Sequence, residues 1–88
     1  MNKLIKVVNV SPLGDYTLFL EFNDGEEKVF DMKPYLEMEV FKPLKDMNLF
    51  NTVKIYHSTI QWDNEIDIDP ETLYEDSVPL LKEQIQSF

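Results

Sequence analysis

Five carboxylates, Asp63, Glu65, Asp67, Asp69 and Glu71, recur at every second position in a chain of 88 residues. Acids at this spacing invite comparison with a calcium loop. There, alternate side chains supply oxygen ligands, a glycine makes the sharp turn at the sixth position and a bidentate glutamate closes the twelfth. Neither register fits. A loop beginning at Asp63 puts Ile68 and Tyr74 at those positions, and one beginning at Glu65 puts Pro70 and Asp76 there. The spacing reads instead as a half-buried strand with its acids outward, and no metal is expected on it. Five like charges on one side of a strand repel each other, which a cationic partner relieves.

Other reactive constellations are equally sparse. His57 is the single histidine, so a multi-histidine metal site within one chain is excluded. A nucleophilic triad would have to combine it with Ser11, Ser58, Ser77 or Ser87, none of which lies in a Gly-x-Ser-x-Gly elbow. His57 therefore reads as a turn residue. Asp15, Asp24 and Glu21 can be paired on paper as acid and base, but carboxylates on hairpins are as a rule solvated, and a chain this short leaves little room for a deep pocket. Gly14 and Gly25 make no phosphate-cradling loop, and no cofactor is expected. Trp62, the only tryptophan, serves either as a core anchor or as a recognition hot spot at a sheet edge. The helix that follows it needs a surface to pack on, which favours the core.

These residues must be positioned by strands and short helices. A hairpin is read from Tyr16 to Phe30, with Asp24-Gly25 as the pair that tolerates positive φ in its turn. Tyr16, Leu18, Leu20 and Phe22 share the core face of its first strand, while Phe19 stands on the opposite face, to be covered by a helix or terminus or met by a partner. On the returning strand Val29 points inward and Phe30 points across the sheet. Ahead of the hairpin, Leu4 to Val10 forms a strand, which Ser11-Pro12-Leu13-Gly14-Asp15 breaks into a loop.

Asp31 caps a short helix with Pro34 just inside it, and Pro43 forces a break and a second helical turn. Residues 34–50 are thus two brief helices whose Tyr35, Leu36, Phe41, Leu44, Leu49 and Phe50 cover the sheet. Val53–Tyr56 and Thr59–Trp62 form a second hairpin through His57-Ser58, without a glycine to ease the turn. Asp69-Pro70 opens a helix running to Asp76, with Leu73 buried. Ser77-Val78-Pro79 repeats this device for a C-terminal tail, where Leu81, Ile85 and Phe88 fall at helical spacing and dock on the sheet or on a second copy of the chain. No internal repeat is evident. The chain reads as a single α+β domain over residues 1–88, with 77–88 a helical tail. It has a small, mostly antiparallel sheet of about five strands and short helices between the two hairpins and at the C-terminus.

Composition bounds what such a domain does. A hydrophobic fraction of 43% with 12% aromatic residues supports a modest core and argues against disorder. With no cysteine, neither disulfides nor thiolate metal sites hold the fold, which fits a reducing cytoplasm. Seventeen acidic against eight basic residues give a net charge of −9, which repels nucleic acid and steers association with a basic protein. The N-terminal apolar run is broken at Lys6 and Asn9 and reads as a strand, not a signal peptide. No apolar run approaches the ~18 residues of a transmembrane helix, so a soluble, cytoplasmic protein is expected.

The order of the segments resembles a family of small, mostly bacterial proteins, domain of unknown function 2442. The residues that carry the likeness are Val10-Ser-Pro-Leu-Gly-Asp-Tyr-Thr-Leu, Phe22-Asn-Asp-Gly-Glu with Phe30-Asp31, Phe41 with Leu44 and Phe50, and Ile60-Gln-Trp-Asp with Asp67-Ile-Asp-Pro-Glu-Thr-Leu-Tyr74. That family commonly carries asparagine-glycine near Asn64-Glu65, and Glu65 departs from it, which leaves a tight turn there without its usual glycine. The resemblance implies an α+β domain, sometimes fused to a helix-turn-helix segment and often encoded beside another small protein in a toxin-antitoxin-like arrangement. It implies no catalytic residues, and no DNA-binding segment is seen in these 88 residues.

Charge and resemblance together lead to the expectation of a non-enzymatic acidic protein-binding module, an antitoxin-like or regulatory partner of a small basic protein. The candidate contact residues are Asp63, Glu65, Asp67, Trp62 and Phe19. The alternative is a small hydrolase or ligand-binding protein using the acids from Asp63 to Asp69, which requires those carboxylates to converge in a concave pocket. Homodimerisation through the C-terminal tail is a further expectation.

Overall fold

In the computed structural model, which describes residues 4–80, the chain lays down two antiparallel meanders in succession. β1 (Val7–Gly14), β2 (Thr17–Phe22) and β3 (Glu27–Asp31) form the first, and β4 (Lys54–Tyr56), β5 (Thr59–Gln61) and β6 (Asp67–Ile68) form the second. Between them lie 3-10 turns at Lys33–Tyr35 and Lys42–Lys45 and a single turn of helix, α1 (Met47–Phe50). After β6 come α2 (Pro70–Asp76) and β7 (Val78–Pro79), which returns to pair with β3 and completes a sheet of order β1-β2-β3-β7. The architecture is α+β with antiparallel pairing throughout.

The two meanders follow one plan, which the sequence does not announce. In each, the first connection is a two-residue turn with positive φ at both positions, Asp15 and Tyr16 in one and His57 and Ser58 in the other. In each, the second connection is a three-residue loop. Phe22 N–H bonds the Glu26 carbonyl at 2.9 Å as Trp62 N–H bonds that of Ile66 at 2.9 Å. Each meander then ends in an aspartate whose carboxylate accepts an amide two residues on, Asp31 from Lys33 and Asp69 from Glu71. Asp69 thereby caps α2 as expected, whereas the 3-10 turn after Asp31 has Met32 at its N-cap position and no side-chain cap, which corrects the expected role of Asp31.

Three further local expectations are corrected. The loop after Phe22 holds three residues, not two, which shifts the register by one and turns every side chain of β3 over. Leu18 faces Phe30 and Phe19 faces Val29, so Phe30 is fully buried and Val29 points outward. Ser11 to Gly14 continue β1 instead of breaking it. Proline is tolerated at position 12 because β1 is an edge strand whose one ladder partner among the described residues is β2. Val78-Pro79 forms β7 on the opposite edge instead of starting a helix. The expected tail helix, with Leu81, Ile85 and Phe88, lies outside the described residues.

Both meanders close on one core. Val7, Leu18, Leu20, Phe22 and Phe30 come from the first sheet, Ile60, Trp62 and Ile68 from the second region, and Leu36, Leu44, Phe50 and Leu73 from the helical segments. Phe50 bridges the parts, with its ring 5.3 Å from Tyr16 and 6.1 Å from Trp62. The Val7 amide bonds the Ser58 carbonyl at 2.9 Å, which ties the outer strand of the first meander to the first turn of the second.

Candidate functional site

The acidic stretch is built on Trp62. Its indole is completely buried and its Nε1–H donates to the Phe50 carbonyl at 3.0 Å, so the polar edge of the ring is satisfied inside the core. As a partner-contacting side chain Trp62 is ruled out by this burial, and its anchoring role holds. Its backbone frames the loop above, where Glu65 N–H bonds the Trp62 carbonyl at 2.8 Å and Ile66 N–H bonds Asn64 Oδ1 at 3.2 Å. Glu65 takes φ 71° there, so the tight turn forms without the glycine usual at such a position.

This frame spreads the carboxylates apart. Asp63 pairs with Lys54 Nζ at 3.3 Å across an exposed surface, an interaction worth little in water. Asp69 caps α2 through the Glu71 amide, and Glu71 sits in the first turn, where a negative charge favours the helix dipole. Glu65 and Asp67 project outward from the loop and from β6, with no side-chain bond to a described residue. The five acids thus divide into a surface pair, a cap, a dipole partner and two bare charges. Among the described residues no three of His, Asp and Glu converge to hold a metal, and no cavity is found.

The remaining candidates are also dispersed. His57 is exposed on its turn with its ring edge against Tyr56 at 4.2 Å. Asp15 bonds Lys33 at 3.2 Å, Glu21 accepts from Asn9 Nδ2 at 2.6 Å and Asp24 accepts from the Tyr74 hydroxyl at 2.7 Å, so the three hairpin carboxylates face different partners. Phe19 lies on the outer face of the first sheet, whereas Asp63, Glu65 and Asp67 belong to the second meander.

Two tyrosine–carboxylate tethers went unread in the sequence, since their partners are 41 and 50 residues apart. Tyr35 donates to Asp76 and Tyr74 to Asp24, which fastens the end of α2 to the 3-10 turn and to the β2–β3 loop. The Asp76 carboxylate pushes the Tyr35 hydroxyl from 10.0 up to about 12, with burial adding in the same direction. Asp24 raises that of Tyr74 in the same way, followed by burial and the charge of Glu26. Lys28 completes this corner: its Nζ bonds the Tyr74 carbonyl at 2.8 Å and lies 3.9 Å from the centre of the Tyr74 ring.

A two-meander α+β domain with a carboxylate-rich exterior is the class that fold and surface define. The chain belongs to the family described as protein of unknown function DUF2442, which matches it over residues 7–79. No curated protein and no solved structure matches the chain.

Proposed function

We propose that this domain is a non-enzymatic acidic protein-binding module, an antitoxin-like or regulatory partner of a small basic protein in the cytoplasm. The observation that carries the reading is how the chain's net charge of −9 is displayed. Five lysines are committed locally: Lys33, Lys42, Lys45 and Lys54 to carboxylates, and Lys28 to the end of α2. Glu26, Glu27, Glu65, Asp67, Glu71 and Glu75 have no side-chain bond among the described residues. Uncompensated charge of one sign favours a cationic partner, and such complementarity speeds encounter more than it strengthens the bound state.

The alternative use of Asp63 to Asp69 in a hydrolytic or ligand-binding site needs converging carboxylates, and these stand on an exposed loop and strand. Capture from the native host at low ionic strength, followed by mass spectrometry, tests the module reading. A stoichiometric small basic protein, released as salt rises, is the expected result. Capture of no such protein overturns it. Light scattering on the free chain reads out self-association at the same time.

A further inference from the structure

We propose that the outer face of the four-stranded sheet docks a basic amphipathic helix of the partner protein. This placement rests on the acidic-module reading and deepens it by naming the surface and the form of the ligand. Alternation along β2 sends Leu18, Leu20 and Phe22 into the core and Thr17, Phe19 and Glu21 outward. The register carries that outward face across the sheet, so that Ser11, Phe19, Val29 and Val78 stand side by side on β1, β2, β3 and β7. Phe19 and Val29 are half-buried by their neighbours but take no part in the core, and Val78 is 61% exposed. From Phe19 to Val78 this apolar row crosses two strand spacings, about 10 Å. Two turns of α-helix advance about 11 Å, so an apolar stripe at i, i+3 or i+4, and i+7 matches it in length.

The charges beside the row specify the sign of the partner. Glu21 and Glu27 are directly opposed on β2 and β3, two residues from Phe19 and Val29 on the same face and hence about 7 Å away. Like charges in that relation destabilise a sheet. Among the described residues Glu21 has only the Asn9 amide and Glu27 has no side-chain partner. Neither Lys28 nor Lys33 relieves the pair. Lys28 faces Leu20 and Pro79 on the other side of the sheet and is held at Tyr74, while Lys33 is engaged by Asp15 and Asp31. Lysine or arginine flanking an apolar helical stripe would meet both carboxylates as the stripe covers Phe19 and Val29. A second copy of this face would bring the same carboxylates together, so charge opposes self-association here.

The probe is a synthetic peptide of about eighteen residues, built from leucine and lysine with the leucines in one helical stripe. It is titrated into the full chain beside a peptide of the same composition in scrambled order. Amide shifts are expected to concentrate at Phe19, Glu21, Glu27, Val29 and Val78, with the scrambled peptide bound about tenfold more weakly or worse. Phe19→Ala is expected to weaken binding about tenfold. Glu21→Gln with Glu27→Gln, which keeps size and shape, is expected to weaken it and to flatten its salt dependence. Equal binding of the two peptides overturns the proposal, as does failure of both to bind. Shifts confined to Asp63–Asp67 overturn this placement and leave the acidic module standing. Nuclear Overhauser contacts from Leu81, Ile85 or Phe88 to Phe19 in the free chain also overturn it, because the row is then filled by the chain itself. Recovery of a basic partner from the host, with no effect of these substitutions, separates failure of the placement from failure of the module.

Discussion

Gly25 and Glu65 occupy the same place in two equivalent loops. Each donates its amide to the carbonyl of the residue three positions before it, Phe22 or Trp62, and each has positive φ, 90° at Gly25 and 71° at Glu65. Glycine adopts this conformation freely, whereas a side chain meets its own backbone there at a cost of about 1–2 kcal/mol. Glu65→Gly is therefore expected to stabilise the protein by up to about 1 kcal/mol, part of the gain being offset by the greater freedom of glycine in the unfolded chain. Gly25→Val is expected to destabilise by about 1 kcal/mol or more, from conformation and not from crowding, because beyond its chain neighbours no described atom lies within 4 Å of the added Cβ. Urea midpoints at constant m-value check both. A lower midpoint for Glu65→Gly would refute the equivalence.

Trp62→Ala should cost about 3–5 kcal/mol, since it empties the centre of the core. Trp62→Phe keeps most of the packing but deprives the buried Phe50 carbonyl of its indole donor, so a smaller loss of about 1–3 kcal/mol is expected. Denaturation of the two variants side by side separates packing from hydrogen bonding, and an undiminished midpoint for Trp62→Phe would contradict the bond.

The Tyr35–Asp76 tether carries a pH signature. The tyrosine hydroxyl is held up at about 12 in the folded chain, against 10.0 unfolded. The folded state therefore keeps a proton that the unfolded state has released, so stability conferred by the tether is complete below pH 10 and is lost as pH rises to about 12. Chemical denaturation across that window should show a steeper decline for the native chain than for Tyr35→Phe. Parallel profiles would remove the tether from the account.

Added Ca²⁺ or Zn²⁺ is expected to leave the melting temperature unchanged, because a site that binds the folded chain must stabilise it as it fills. Asp63 and Asp69 are already engaged, and Glu65 and Asp67 do not converge with them. A saturable rise in the thermal midpoint would reverse this view of the acidic stretch.

What could be read in advance was what is encoded within a few residues. Leu18, Leu20 and Phe22 announce their face by alternation, and Asp69-Pro70 announces a helix start, so both stand as expected. The orientation of β3 was lost to one extra loop residue, since Asp24-Gly25 suits a two-residue turn as well as the end of a three-residue loop. β7 has two residues, too few for any period to show. The parallel between the meanders is hidden because equivalent places hold different residues, Phe22 against Trp62 and Gly25 against Glu65. Of the candidate site, Phe19 was visible as an aromatic on the wrong face. Val29 and Val78, which make it part of a row, depend on the register and on pairing between residues 49 apart in number.

Every strand pair except β3 with β7 joins elements that follow one another in the chain. Each meander can therefore form from contacts of low sequence separation, whereas β7 must close a loop that spans the whole second meander before it gains any bond. With only Lys28–Pro79 and Val29–Val78 in register, this seam is expected to part before the longer β1–β2 and β2–β3 ladders when the native state fluctuates. The Leu80 amide, bonded to the Glu27 carbonyl, then exchanges its hydrogen sooner than the amides of β2. Each such opening bares the long edge of β3 as a template on which another chain could add a strand.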